Sequence, residues 1–141
     1  MSRKLTKSEI EAAVSDVYAD CIEAQFGLWI TGLFYWWPDL TLEDQKRAFF
    51  LLLRKLLEEG RIKFIKPDAD IYFNAEHNPN PKLTINEVES HWEADTDEIL
   101  SYLNEKWPHT AKDEHDVELN AYFYEIPAII WRGDDGKWIG S

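Results

Sequence analysis

A chain of 141 residues suits one domain, and its 45% apolar and 14% aromatic content excludes intrinsic disorder despite a net charge of −12. A single cysteine, Cys21, excludes an internal disulfide and a paired-cysteine zinc site, and suits a reducing compartment. Charge is unevenly placed, with fourteen acids against Lys82, Lys106 and Lys112 in residues 68–118 but ten of each sign in residues 1–67, a field that repels nucleic acid and attracts a basic protein.

The first residues, Met1-Ser-Arg-Lys-Leu5, are charged and lead into a capping box, Thr6-Lys-Ser-Glu9, instead of the apolar core of a secretory signal. Ile10, Ala13, Val14, Val17, Tyr18, Cys21 and Ile22 then recur at helical spacing, which predicts an amphipathic helix over residues 7–25. Residues 26–38 are too uniformly apolar to classify by period, and they belong to the core as a helix extension or a buried turn. The longest charge-free run, residues 24–38, holds Gly27 and Gly32 and ends in Pro38, short of the about 20 residues a membrane span needs. No membrane association and a cytoplasmic location are therefore expected.

Thr41 is placed to cap a helix over residues 42–59, with Asp44 at the position that reaches back to the cap. Phe49, Leu52, Leu53, Leu56 and Leu57 supply its buried stripe, and Gly60 stands where a left-handed cap ends it. Residues 61–66 read as a strand, residues 67–86 as a loop around the short apolar piece Ile71-Tyr-Phe73, and residues 87–92 as ambiguous. A third helix follows over residues 95–107, capped by Asp95 or Thr96, burying Ile99, Leu100 and Leu103 and stopped by Pro108. Residues 116–124 predict a short helix carrying Val117, Leu119, Ala121, Tyr122 and Phe123. Residues 128–139 then spell a β-hairpin about Asp135-Gly136. The order predicts an α+β domain over residues 1–141, with helices packed on a small antiparallel sheet. The strand at 62–65 and the hairpin should share that sheet, covered by the helices at 7–25 and 42–59.

Chemistry is sparse. Cys21 lies on an apolar stripe, no serine stands in a nucleophile elbow, and no glycine-rich phosphate loop occurs. His77, His91, His109 and His115 lack metal-ligand spacing and read as loop or surface residues, although Glu87 and His91 would share a face of a helix. Spacing selects no catalytic pair among so many carboxylates, and most of the seven tryptophans read as core. No cofactor, metal ligand or catalytic residue is expected.

The stretch Phe49-Phe-Leu-Leu-Leu-Arg-Lys-Leu-Leu-Glu-Glu-Gly-Arg-Ile-Lys-Phe64, with Trp107-Pro108, Tyr122-Phe-Tyr-Glu-Ile-Pro127, Ile129-Ile-Trp131 and Asp135-Gly-Lys-Trp138, resembles a known family. It is a family of small bacterial proteins first catalogued as a domain of unknown function. Some members serve as immunity proteins beside contact-dependent growth inhibition and related polymorphic toxins. The similarity runs from about Leu28 to the end and rests on core, cap and turn residues, so no functional residue carries over. It implies a non-enzymatic inhibitor of a cognate toxin, and the acidic stretch fits a basic partner such as a nuclease. The toxin-binding residues expected on charge are Glu87, Glu89, Glu93, Asp95, Asp97, Glu98, Asp113, Glu114 and Asp116, with Trp92 as an aromatic anchor. An acidic nucleic-acid mimic or adaptor is the alternative, and a small metal-dependent hydrolase a more distant one.

Overall fold

The computed structural model describes residues 5–23, 34, 36–37, 39–67, 76, 79–80, 87–113, 115–133 and 135–140. Helix α1 (Lys7–Glu23) starts on the expected box: the Thr6 N–H donates to Glu9 Oε1 at 2.9 Å and the Glu9 N–H to Thr6 Oγ1 at 3.2 Å. Ile10 and Val14 are buried on its stripe, with Ala13, Val17 and Tyr18 half-buried beside them. The side chain of Cys21 lies outside the described part of the structure, as does most of 26–38. Phe34 and Trp37 from that run are buried. Trp37 Nε1 donates to Ala13 O at 3.1 Å and Gln45 Nε2 to Trp37 O at 3.0 Å, which ties Trp37 to the helices on either side.

Helix α2 (Leu42–Glu58) begins where Thr41 Oγ1 accepts from the Asp44 N–H at 3.2 Å. The Asp44 carboxylate, only 1% exposed, accepts from the Leu5 N–H at 3.0 Å and from Arg47 Nη1 at 2.8 Å. Arg47 also donates to Leu5 O at 2.7 Å, so one ion pair clasps the segment leading into α1. Phe49, Leu52, Leu53 and Leu56 are buried as their spacing requires. Gly60, at φ +70°, ends α2 in a Schellman turn, its N–H donating to Leu57 O and the Arg61 N–H to Leu56 O.

Strands β1 (Ile62–Phe64), β2 (Ile129–Arg132) and β3 (Trp138–Gly140) form one antiparallel sheet in the order β1-β2-β3. Ile62 stands opposite Trp131, and Arg132 opposite Trp138. Gly136, at φ +83°, makes the hairpin turn, closed by the Gly133 N–H on Lys137 O at 2.7 Å. The run Ile129-Ile-Trp131 is continuously apolar because the middle strand is buried on both faces. Ile62, Phe64, Ile129 and Trp131 enter the main core, while Ile65 and Ile130 are equally buried outside that cluster.

Of the two helices expected to cover this sheet, α2 packs on β1, while α1 packs chiefly on α2. Three strands at about 4.8 Å spacing place their outer axes about 10 Å apart, the diameter of one helix. There is room for α2, and α1 takes the second layer.

Helix α3 (Thr96–Glu105) and helix α4 (Val117–Glu125) complete the fold. Ile99, Leu100 and Leu103 face inward from α3, and Leu119, Tyr122 and Phe123 from α4. Val117, expected among the apolar residues of that helix, is 78% exposed. Trp107, beyond the end of α3, is buried edge-on against Tyr122 and tilted against Phe34 and Phe50. Ring contacts of this kind, together with Phe49 and Phe123, explain where the aromatic content goes. The Tyr122 hydroxyl donates to Leu103 O at 2.8 Å, and burial pushes its pKa well up, so it stays a neutral donor.

Candidate partner-binding surface

The ambiguous residues 87–92 form a 3-10 turn (Val88–Ser90) followed by a bridge between His91 and Ile65. The Trp92 N–H donates to Phe64 O and the Lys66 N–H to Ser90 O, so the segment runs along the outer edge of β1. Glu87 and His91 therefore share no α-helical face. His91 is buried, not a loop or surface residue as its type suggests, and its ring meets Trp138 edge-on at 5.6 Å. Trp92 is half-buried, with its ring edge-on to Tyr102 at 5.0 Å. It is a wall more than a protruding anchor.

The acids expected to bind a partner divide by what they already hold. Asp95 caps α3, its Oδ1 accepting from the Glu98 N–H at 2.8 Å. Asp116 caps α4, and hydrogen bonds from the Glu118 and Lys112 N–H groups draw its pKa below the usual carboxylate range. Asp113 Oδ1 accepts from the His115 N–H at 2.8 Å within the turn before α4. Glu93 pairs with Lys63 at 2.8 Å, and that hydrogen bond draws its pKa down. Asp97 pairs with Arg54 at 2.7 Å, which raises the arginine's pKa. Glu87 is half-buried, its carbonyl accepting from both the N–H and the hydroxyl of Ser90. Glu114 lies outside the described residues.

Over residues 89–105, three acids at the surface are neither caps nor ion-pair partners among the described residues: Glu89, Glu98 and Glu105. Glu98 and Glu105 stand seven residues apart, two turns along the same face of α3. The ion pairs do not remove charge from the surface, since Asp97 stays 82% exposed and Glu93 57% exposed in theirs. Residues 89–105 thus present exposed acids from the 3-10 turn through the length of α3. Charge alone had not singled out Glu105.

Beside this stretch lies a cleft of about 300 Å³ lined by Lys63, Trp92, Glu93, Arg132 and Trp138 over the end of α2. Sequence reasoning missed it, although the hairpin register that pairs Arg132 with Trp138 contains part of the signal. A second groove, of about 490 Å³, separates α2 from α3 along Phe50, Arg54, Asp97 and Leu100. No group of three or more His, Cys, Asp or Glu among the described residues is placed to hold a metal ion. No helix among them is long and apolar enough to cross a membrane.

No family model matches the chain, and no curated protein does. The fold is similar to a solved structure from Neisseria meningitidis described as an uncharacterized protein conserved in bacteria. That match has 16% identity and a TM-score of 0.62, covering 95% of this chain and 91% of the other. At such identity the likeness shows the fold and nothing beyond it.

Proposed function

We propose that the protein is an immunity-type inhibitor that binds and neutralises a cationic bacterial toxin, in first place a nuclease, without chemistry of its own. The observation that carries the reading is the surplus of exposed acid over residues 89–105, where Glu89, Glu98 and Glu105 meet no cation among the described residues. Carboxylates that are neither capping, paired nor buried contribute little to a fold. Their cost is self-repulsion, and what they provide is a negative field that speeds the approach of a basic surface. The resemblance of the core, cap and turn residues to a family some of whose members are immunity proteins supports the same reading. The acidic face would cover the toxin's substrate groove or lie beside it and repel the nucleic acid.

The test is a rescue assay. The gene immediately upstream, expressed alone, should arrest growth, and co-expression of this chain should restore it. The triple variant E89K/E98K/E105K should fold and fail to protect. An upstream product that is harmless, or full protection by the variant, would overturn the proposal.

A further inference from the structure

The 300 Å³ cleft forms where the end of α2, the outer side of the sheet and residues 92–99 meet. Its volume stands at the lower end of small-molecule sites. The indoles of Trp92 and Trp138 are its aromatic surfaces, and Ile62 and Ile99 its apolar lining. Gly60 opens one side: a Cβ there would stand 3.5 Å from Arg132 Nη1, so the guanidinium lies against the chain at the end of α2.

Charge inside the cleft opposes the charge of the whole chain. Lys63 and Glu93 cancel at 2.8 Å, and the Lys63 ammonium also lies 5.4 Å from the centre of the Trp138 ring. Arg132 is left over. Arg47, Arg54 and Lys63 each hold a carboxylate at 2.7–2.8 Å, whereas Arg132 holds none among the described residues of a chain with 27 acids. An exposed guanidinium presents a planar fork of donors that matches a carboxylate in two-pronged fashion. The negative field of the molecule is screened over about 8 Å in physiological salt, so contacts within the cleft decide what it holds. A competing use for Arg132 is to offset the negative end of the α2 dipole, which requires neither indole.

We infer that this cleft binds a small aromatic carboxylate, its ring against the Trp92 and Trp138 indoles and its carboxylate on the Arg132 guanidinium. The site is independent of the acidic surface and of the toxin-binding reading.

The isotope-labelled 141-residue chain, titrated with indole-3-acetate, should show saturable shifts of the Trp92 and Trp138 indole N–H signals and of the Lys63 amide. Indole-3-acetamide and acetate, in separate arms, should bind at least about tenfold more weakly, because each lacks one half of the recognition. Arg132→Gln should weaken indole-3-acetate about tenfold with the remaining spectrum unchanged, and Arg132→Lys, which keeps the charge for the dipole, should weaken it as well. The inference is overturned by absent shifts up to about 10 mM probe. It is equally overturned by acid and amide binding alike, or by Arg132→Lys binding as well as the parent.

Discussion

Asp44 and Asp97 each meet an arginine, at 2.8 and 2.7 Å, yet Asp44 is 1% exposed and Asp97 82%. They represent two regions of one molecule. In the N-terminal region, where acids and bases balance, the buried carboxylate joins Leu5 and Arg47 into a clasp between distant parts of the chain. In residues 89–105 the acids are capping groups, exposed ion-pair partners, or surface charges with no cation beside them among the described residues. Removing a buried partner uncovers a desolvated group, whereas an exposed pair contributes about 0–1 kcal/mol. The same residue type therefore serves the fold in one region and a surface field in the other.

The sharpest way to break this comparison is to cut the core beneath it. Leu53→Ala should cost about 2–5 kcal/mol in denaturant unfolding, since the side chain is fully buried. Glu59→Ala, exposed at the end of the same helix, should cost less than about 0.5 kcal/mol. Equal effects would mean that α2 is turned the wrong way.

The next largest effect belongs to the clasp. Asp44→Ala should cost about 1.5–3 kcal/mol, the range for hydrogen bonds to a charged group. Burial pushes the Asp44 pKa up, but bonds from the Leu5 N–H and from Arg47 outweigh it, leaving the value below the ordinary 3.8. A pKa lower in the folded than in the unfolded chain gives stability that is complete above 3.8 and lost as pH falls through the folded value. The gap between parent and variant in thermal unfolding should therefore narrow only below 3.8, and a gap that narrows at neutral pH would contradict the clasp.

Smaller still is the cap. Asp95→Ala should cost about 1 kcal/mol through loss of the bond to the Glu98 N–H, and Asp95→Asn should recover most of it. Glu98→Ala, two turns from Glu105 on the same exposed face, should change stability by less than about 0.5 kcal/mol. A larger loss at Glu98 than at Asp95 would place the surface field inside the fold.

The parts legible in the sequence are those written within a few residues. Thr6, Thr41, Asp95 and Asp116 sit where their helices begin, Gly60 ends α2, and Asp135-Gly136 turns the hairpin. The parts not legible are made by residues that meet only after folding. Asp44 reaches Leu5 across 39 positions, and Lys63 meets Glu93 across 30. Spacing does not encode such partners. This is why the acids of the central stretch looked equivalent as charges, while their caps and ion pairs separate Asp95, Asp97 and Asp116 from Glu89, Glu98 and Glu105. His91 misled for a related reason, because its burial depends on a bridge to Ile65 that no helical or alternating pattern announces.

The central claim is that Glu89, Glu98 and Glu105 act on a partner and not on the fold. The association rate with the upstream gene product, for the parent chain and E89K/E98K/E105K, tests it most directly. Measurements at about 10 mM and about 1 M ionic strength set screening lengths of about 30 and 3 Å. The account predicts at least a tenfold slower association of the variant at low salt, roughly the least that steering contributes, with the difference closing at high salt. Melting temperatures should agree within about 2 °C. Equal association rates at low salt would contradict it.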